Sequence, residues 1–464
     1  MGKPHSQRPR RAARHVFLAA AALLAGCASY APRPLPSRIA QPSNVGDIRV
    51  DAARMPLASL RTHRFDPSDG LDMDEVAMLS VANNPQLRAA RDAVGVARAQ
   101  AYAAGLLPDP QLGVTRDVPT NGGPGNTSAF SLGLSEDVSA LLTRSVARSA
   151  AEAHAREVHL NLLWQEWQVV SQARLLFVRN LEQERLLRLL QENRELFAAR
   201  YRRARAALRE GNATIQAASA DLVALQGVER QIAELERQIE HNRLQLNLLL
   251  GLAAGTKLHL VGGVALPPLD AARIRAELPQ LAMRRPDLLA LRAGYESQEQ
   301  RFRQAVLGQF PALNVGLTHA RDTSDIYTLG IGITLTLPIF NGNRGNIAIE
   351  RATRRRLYDE YRARLQAADS EVRGILIDQR LLHVQLEGAE RSIAELERVA
   401  AGAGAAYRAG NLSELEYVNL RAGLLAKRIE AVTLEQNLLE QRVALQTLVG
   451  TELPVKNKLD GTRK

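Results

Sequence analysis

The chain has 464 residues, with 60 Lys and Arg against 49 Asp and Glu and a single cysteine. Aromatic residues make up only 4% of it, while Ala, Leu, Arg, Glu and Gln are abundant, which is typical of long helices rather than of a compact enzyme. The basic residues lie among acidic ones along helical stretches, so they indicate solvated helix faces and not a nucleic-acid-binding surface. A single cysteine excludes disulfides within the chain and zinc sites built from several cysteines.

The N-terminus has the pattern of a secretory signal. Five basic residues precede an apolar run from Val16 to Leu24, an order typical of signal peptides. Leu24, Ala25 and Gly26 then precede Cys27. These four residues resemble a bacterial lipobox, which implies that residues 1–26 are removed and that Cys27 carries a lipid anchor. Because Ala28 follows, where an aspartate would resemble a signal for retention in the inner membrane, the outer membrane is favoured.

The chain contains an internal repeat. NPQLRAARDAVGVARAQ, from Asn84, aligns with RPDLLALRAGYESQEQR, from Arg285, at an offset of 201 residues, and REGNAT aligns with RAGNLS at an offset of 199. So many repeated anchors predict a duplication. We predict five segments after the signal: a lipid-anchored N-terminal segment (27–70), a first repeat (71–260), a linker (261–283), a second repeat (284–453) and a C-terminal tail (454–464).

Each repeat is predicted to contain a short helix (84–106 or 285–307), a β-hairpin, a long helix and a returning helix. Residues 139–210 contain neither Gly nor Pro and predict a helix on the order of 100 Å long. The second long helix, 346–409, includes Gly374, Gly388, Gly402 and Gly404, so we expect it to be less regular near its end. Helices of this length need a continuous partner, which the heptad-spaced apolar residues of the returning helices supply.

Four strands are predicted, at residues 111–115, 129–136, 312–319 and 327–337. Each alternates apolar residues with Ser, Thr, Gly, Asn or Gln, so one face suits lipid and the other a water-filled lumen. After the signal, no stretch of about 20 apolar residues could form a transmembrane helix, and a membrane crossing would therefore require a closed barrel. Four strands are too few to close one, so we expect three copies to supply twelve. The competing hypothesis is a soluble sheet that covers a core.

Several motifs in their order resemble the TolC family of outer-membrane efflux channels. They are NPQL and RPDL at the start of the short helices, LTLPIFNGNRGNIA after the last strand, YRAGN at 407–411, and the repeat itself. The resemblance implies a mainly α-helical fold with a membrane β-barrel. It also implies a trimer, in which a 12-stranded barrel with four strands from each chain continues into a long α-helical barrel.

The same resemblance implies the partners. The homotrimer would sit in outer-membrane lipid, extend into the periplasm, and dock on a membrane-fusion adaptor protein and an inner-membrane efflux pump of the RND type. It would be a passive conduit, not an enzyme, with no cofactor. The remote alternative is a periplasmic coiled-coil adaptor lipoprotein, which would need a lipoyl-like domain between its helical arms.

The motifs LLPDPQLGV and FNGNRGNIA are similar to those of heavy-metal efflux channels of the cobalt-zinc-cadmium type. The sequence therefore favours heavy-metal cations slightly, with a multidrug efflux lipoprotein as the alternative. No dedicated metal site is expected in the chain itself, because the histidines are scattered. His154 and His159 are five residues apart and do not share a helix face.

Two Gly-Asn turns are predicted to join the helices of each hairpin. Gly211 with Asn212, and Gly410 with Asn411, tolerate the left-handed conformation that reverses a helix. The family resemblance further implies that these turns are the periplasmic tips, which dock on the adaptor and close the channel aperture.

Three residues beside the second tip are candidates for the aperture. Tyr407 resembles a tyrosine that helps to hold the aperture shut in the family, but the expected acidic partner is replaced by Ala217, with Asp221 one turn away. Glu414 and Glu416 could form acidic rings that favour cations. Alternatively, these two carboxylates could simply complement the N-terminus of the returning helix.

The residues between the strand and the long helix differ in the two repeats. After the last strand, Pro338, Gly342 and Gly345 are predicted to redirect the chain from the barrel into the tunnel. At the first junction Asp137 stands in the place of Pro338 and no glycine follows. We therefore expect the two junctions to be built differently.

Overall fold

The computed structural model describes residues 30–38, 41–120, 125–264, 266 and 269–450. The predicted signal, Cys27 and the C-terminal tail lie outside these residues. Contacts within the chain separate two units, 1–41 and 42–464. The described residues of the first unit form no helix or strand. None of the helices among the described residues is long and apolar enough to cross a membrane.

The second unit contains ten α-helices and four strands among its described residues. In chain order they are α1 (Ala58–Thr62), α2 (Met73–Asn83), α3 (Pro85–Ala104), β1 (Gln111–Asp117), β2 (Ala129–Asp137), α4 (Val138–Arg209), α5 (Ile215–Leu249), α6 (Ala271–Glu277), α7 (Leu281–Arg284), α8 (Pro286–Leu307), β3 (Ala312–Arg321), β4 (Tyr327–Thr336), α9 (Arg344–Arg408) and α10 (Glu414–Val449). Short 3₁₀ turns cover Val45–Asp47, Ala52–Arg54 and Leu278–Gln280. The succession of short helix, hairpin, long helix and returning helix occurs twice.

The two long helices have 72 and 65 residues, as the sequence predicts. The expectation that α9 is irregular near its end is wrong, because the helix continues through Gly374, Gly388, Gly402 and Gly404. Each interior glycine costs a helix about 1 kcal/mol relative to alanine. Packing compensates, since the small residues Ala389, Ala400 and Ala403 of the same stretch are buried. The predicted linker also contains helical turns, namely α6 and α7 with the 3₁₀ turn between them.

The central helix α4 packs against α3, α5, α8 and α10, while α9 packs against α8 and α10. The start of α3 is joined to the end of α5 by two asparagines. The Asn84 Oδ1 accepts hydrogen bonds from the backbone N–H groups of Gln86 and Leu87, which caps α3, and its Nδ2 donates to the Leu249 carbonyl at 2.9 Å. The Asn83 amide donates to the Leu250 carbonyl at 2.8 Å. The two helices are thereby held end to end.

A polar layer interrupts the apolar seam of both helical hairpins at equivalent places. In the first hairpin the Asn242 amide donates to the Gln183 Oε1 at 2.7 Å, within a seam that buries Ile232, Leu235 and Ile239. In the second, the Gln379 amide donates to the Gln441 Oε1 at 3.1 Å. A buried polar pair of this kind fixes the register of two helices, because any slip leaves both groups unsatisfied.

The start of α8 lies in a buried ion cluster. Arg285 has no exposed surface, and its guanidinium contacts the Asp287 carboxylate through two hydrogen bonds of 3.0 and 2.8 Å. Arg364 of α9 contacts both Asp287 and Glu371 at 2.8 Å, so two cations meet two carboxylates. The Arg285 guanidinium also lies 5.1 Å from the centre of the Trp164 ring, which connects α8 and α9 to α4.

This cluster makes stability depend on pH. Burial raises the pKa of Asp287, but its ion pairs with Arg285 and Arg364 outweigh burial, so the pKa lies below its ordinary value. In the unfolded chain an aspartate has a pKa of about 3.9. Because the pKa of Asp287 is lower in the folded protein, its ionised carboxylate stabilises the fold at pH values above about 3.9. This stabilisation is lost as the pH falls through the pKa of the folded protein.

We expect the wild type to lose thermal stability below about pH 4, and Asp287→Asn to be less stable at pH 7 with a shallower decline in acid. Melting followed by circular dichroism at pH 3 to 7 measures both. The control is Asp359→Asn, which changes an exposed residue of α9. Parallel curves for the wild type and Asp287→Asn would refute this role for Asp287.

Candidate functional site

The four strands form one antiparallel sheet in the order β1-β2-β3-β4. Its register aligns like residues in rows: Leu112, Leu134, Leu317 and Ile331 are neighbours, and the next row is Gly113, Gly133, Thr318 and Gly330. The sheet therefore has one apolar face and one face of small or polar residues, as predicted. β1 and β3 extend two residues further than predicted, to Asp117 and Arg321, β2 extends one residue further, and β4 ends one residue earlier, at Thr336.

The apolar face of this sheet is exposed. The following large side chains of the four strands are 43% to 80% exposed: Leu112, Val114, Leu132, Leu134, Leu317, Leu329, Ile331, Ile333 and Leu335. An apolar patch of this size on a protein surface marks contact with a partner or with lipid. The hypothesis of a sheet that covers a core of its own chain is therefore wrong for the described residues.

The second junction is a tight left-handed turn. Gly342 and Asn343 have φ values of 51° and 53°, and the Gly342 N–H donates to the Pro338 carbonyl at 3.1 Å. The Asn343 amide donates to the Ala305 carbonyl, near the end of α8, at 2.7 Å. The turn is complete at Asn343, so the prediction that Gly345 takes part in it is wrong. Gly345 lies in the first turn of α9, where a side chain would meet open space.

The first junction needs no turn, because β2 ends and α4 begins at adjacent residues. Asp137 is the last residue of β2 and also the N-cap of α4, where its carboxylate accepts a hydrogen bond from the Ala140 N–H at 3.1 Å. The Ser139 hydroxyl accepts one from the Leu313 N–H of β3. At the first junction a capping aspartate thus starts the long helix, whereas at the second junction a turn with a proline and a glycine precedes it.

Both tips are glycine-terminated helix ends. Gly211 and Gly410 have φ values of 76° and 78°. The N–H groups of Asn212 and Asn411 donate back to the carbonyls five residues earlier, at 2.8 and 2.9 Å, a pattern typical of Schellman caps. The returning helices are capped by Thr214 and Ser413, which the sequence analysis missed. The sequence does contain a signal for the cap at Ser413, because Ser-x-x-Glu is the capping-box pattern.

Replacing Gly410 by Ala is expected to destabilise the second tip by about 1–2 kcal/mol, the cost of a left-handed conformation for a residue with a side chain. The matched control is Gly402→Ala in the interior of α9, where a side chain meets open space; it should raise stability by up to about 1 kcal/mol. Thermal melting of both variants tests the turn. Equal shifts would contradict the left-handed tip.

The aperture candidates have partners within the chain. The rings of Tyr407 and Tyr417 stack with 5.0 Å between their centres. Glu414 forms an ion pair with Arg203 of α4. The Glu416 carboxylate accepts hydrogen bonds from the hydroxyl and the N–H of Ser413, and these lower the pKa of Glu416. Within one chain, Glu416 therefore complements the N-terminus of α10.

Asp221 forms an ion pair within its own helical hairpin. Its buried carboxylate pairs with Arg200 of α4, whose guanidinium also donates to the Asn419 Oδ1 of α10 at 3.1 Å. Further pairs between α4 and α10 are Arg179 with Glu440, Arg185 with Glu435, and Arg421 with Glu192. Charged contacts thus connect the two hairpins along their length. These pairs could not be predicted from the sequence, because residues about 210 to 260 positions apart carry no local signal.

Among the described residues, no group of three or more His, Cys, Asp or Glu side chains is arranged to hold a metal ion. His154 is paired with Glu157 at 3.0 Å instead. For His159, burial lowers the pKa, with a smaller contribution from Arg98.

Residues 278–451 match the family model described as outer membrane efflux protein. The Cation efflux system protein CusC of Escherichia coli O6:H1 is 24% identical over 49% of this chain and 51% of its own length. The Probable outer membrane lipoprotein SilC of Salmonella typhimurium is 24% identical over 92% of this chain and 96% of its own length. The Multidrug resistance outer membrane protein MdtP of Escherichia coli O157:H7 is 27% identical over 48% of each chain. The alignments thus span about half of CusC and MdtP.

A crystal structure of CusC has the same fold. It superposes with a TM-score of 0.66 at 19% identity and covers 91% of this chain and 100% of the CusC chain. The likeness includes the mainly helical architecture and the small antiparallel sheet. The family match over residues 278–451 and the fold shared with CusC agree with the resemblance to outer-membrane efflux channels that the sequence motifs indicate.

Proposed function

We propose that this protein is the outer-membrane channel of a tripartite efflux system and acts as a passive conduit. The single observation that carries the proposal is the sheet with its exposed apolar face, which leads directly into two very long helices. Three chains close twelve strands into a barrel whose apolar face meets lipid and whose face of Gly, Ser and Thr lines a water-filled lumen. Closure removes the free edges of β1 and β4, which lipid would not tolerate.

The long helices continue the barrel into a periplasmic tunnel. α9 exposes Ile377, Leu381 and Val384 on one face, an i, i+4, i+7 stripe of the kind that packs against another helix. In the trimer this stripe meets the next protomer. The tips at Gly211–Asn212 and Gly410–Asn411 dock on a periplasmic adaptor and close the aperture, and Tyr407 and Glu414 line that aperture. Cys27 carries the lipid anchor, in keeping with the name of SilC as a lipoprotein.

The transported substrate comes from an inner-membrane pump of the RND type. Heavy-metal cations are the first candidate, because CusC is described as a cation efflux protein. Antibiotics and dyes are the second, because MdtP is described as a multidrug resistance protein. Deleting the gene and comparing tolerance to zinc, cadmium, cobalt and copper with tolerance to dyes and antibiotics distinguishes the two classes.

Planar-bilayer recording of the purified protein tests the conduit itself. We expect discrete, ohmic conductance steps from a heat-modifiable trimer extracted from outer membranes. Monomers without conductance, or a protein released from membranes by carbonate washing, would contradict the proposal. The Glu414→Gln variant adds a test of the aperture: reduced preference for cations is expected, whereas unchanged selectivity would remove Glu414 from the conducting path.

A further inference from the structure

Three arginines at the start of α9 form a basic stripe without an ion-pair partner among the described residues; one of them, Arg351, lies 6.0 Å from the centre of the Phe302 ring. Arg344, Arg351 and Arg355 are spaced seven and four residues apart, which places them on one helix face. All three are exposed. Their neighbours Arg354 and Arg356 are in ion pairs with Glu299 and Glu360. By contrast, none of the three stripe arginines forms an ion pair with another residue that the structure describes.

The stripe begins directly after exposed apolar residues. Leu337, Ile339 and Phe340 connect β4 to the turn, and Phe340 is 96% exposed. Two more large apolar residues are exposed at the same end of the sheet: Leu142, in the first turns of α4, and Phe310, just before β3. We call these five residues the junction belt. Apolar residues beside a lipid-facing sheet, followed by arginines, are typical of the boundary between acyl chains and headgroups.

The stripe faces the outside of the tunnel. Arg362, seven residues beyond Arg355 and on the same helix face, lines a groove together with Arg275 and Pro279 of the linker segment. The linker therefore packs on the side of α9 from which the stripe projects. A conduit needs an open interior, so the linker, and the stripe with it, lie on the exterior.

The distances along α9 place the first two arginines of the stripe within reach of a headgroup layer. At 1.5 Å per residue, Arg351 and Arg355 lie about 10 and 16 Å along the helix from Arg344. The headgroup region extends roughly 5–8 Å beyond the hydrocarbon core on each side, and an arginine side chain reaches back several ångströms toward it. Arg344 thus lies within the layer and the side chain of Arg351 reaches it, whereas Arg355 lies beyond it, where its charge still attracts anionic headgroups within a Debye length.

We propose that Arg344 and Arg351 bind the phosphate groups of anionic phospholipids in the periplasmic leaflet, that Arg355 adds electrostatic attraction to the same lipids, and that the junction belt enters the acyl chains. Guanidinium groups suit this ligand because they donate two parallel hydrogen bonds to phosphate oxygens. The inference rests on the proposed function, because it requires the sheet to lie in the membrane.

The first junction provides a built-in comparison. There the Arg144 guanidinium donates to the Gly105 carbonyl at 2.7 Å, and Arg148 pairs with Glu152 at 2.8 Å. Both arginines are therefore occupied within the protein. Each protomer has one lipid-binding junction, and the trimer has three such sites around its circumference.

The test measures lipid affinity of the intact, delipidated trimer by native mass spectrometry during titration with cardiolipin or phosphatidylcholine. The variant Arg344→Gln/Arg351→Gln/Arg355→Gln should bind cardiolipin roughly 100-fold more weakly, about fivefold for each arginine, and phosphatidylcholine unchanged. The matched control Arg148→Gln/Arg354→Gln/Arg356→Gln removes the same charge from paired positions and should keep the wild-type cardiolipin affinity.

Three results would overturn the inference: an unchanged cardiolipin affinity in the stripe variant, an equal loss in the control, or displacement of cardiolipin by millimolar inorganic phosphate. The last would assign the arginines to free phosphate. Bilayer conductance separates this inference from the proposed function. A conducting wild-type trimer without preference for anionic lipid contradicts the lipid site alone, whereas a wild type that forms no conducting trimer contradicts the channel.

Discussion

Replacing Ile331 by arginine should nearly abolish assembly of the protein into the outer membrane. Ile331 lies in the middle of β4, is 80% exposed in the protomer, and would face the centre of the bilayer. An arginine at this depth costs a membrane barrel about 2–4 kcal/mol, and each trimer would carry three of them. The yield of heat-modifiable trimers in outer-membrane fractions measures the effect.

The neighbouring Thr334 is the matched control, because it is on the opposite face of the same strand. Thr334→Arg places the same charge in the water-filled lumen, so trimers should form in near-normal amounts and only their conductance should change. Normal assembly of Ile331→Arg, or an equal failure of both variants, would show that the apolar face does not contact lipid.

Replacing Arg285 by alanine should destabilise the protein by about 3–5 kcal/mol, the cost of removing one partner from a buried ion pair. The change leaves the Asp287 carboxylate with Arg364 alone, removes the contact with the Trp164 ring, and opens a cavity. Melting temperatures of the purified variant should fall by several degrees.

Arg284 provides an adjacent control. Its guanidinium pairs with Glu277 at 2.8 Å, but this pair is partly exposed, and such pairs contribute about 0–1 kcal/mol. Arg284→Ala should therefore melt close to the wild type. If the two alanine variants melt alike, the buried cluster does not hold α8 and α9 to α4.

The helices were predictable because their ends carry local signals. Gly211 and Gly410 stop the long helices within one or two residues of the predicted positions, and a 72-residue stretch without Gly or Pro has few alternatives to a helix. The strands were predictable for the same reason, since alternation is a local pattern. Their last residues, Asp117 and Arg321, break the alternation and were missed.

The features that could not be predicted from the sequence depend on contacts between residues that are distant in the chain. Arg285 resembles a surface residue in the sequence, and only the packing of α8 against α4 and α9 buries it. Asp137 was recognised as a departure from the second junction, but its role as a helix cap becomes clear only in the structure. The glycines in the second half of α9 predict an irregular helix, but tertiary packing outweighs helix propensity there.

We propose that three chains enclose one continuous channel. Cryo-electron microscopy of the full-length protein in lipid nanodiscs tests it most directly. We expect a threefold-symmetric particle in which β1 of one protomer pairs with β4 of the next and twelve strands lie within the lipid disc. A particle of another stoichiometry, or one whose sheets lie outside the lipid, would contradict it.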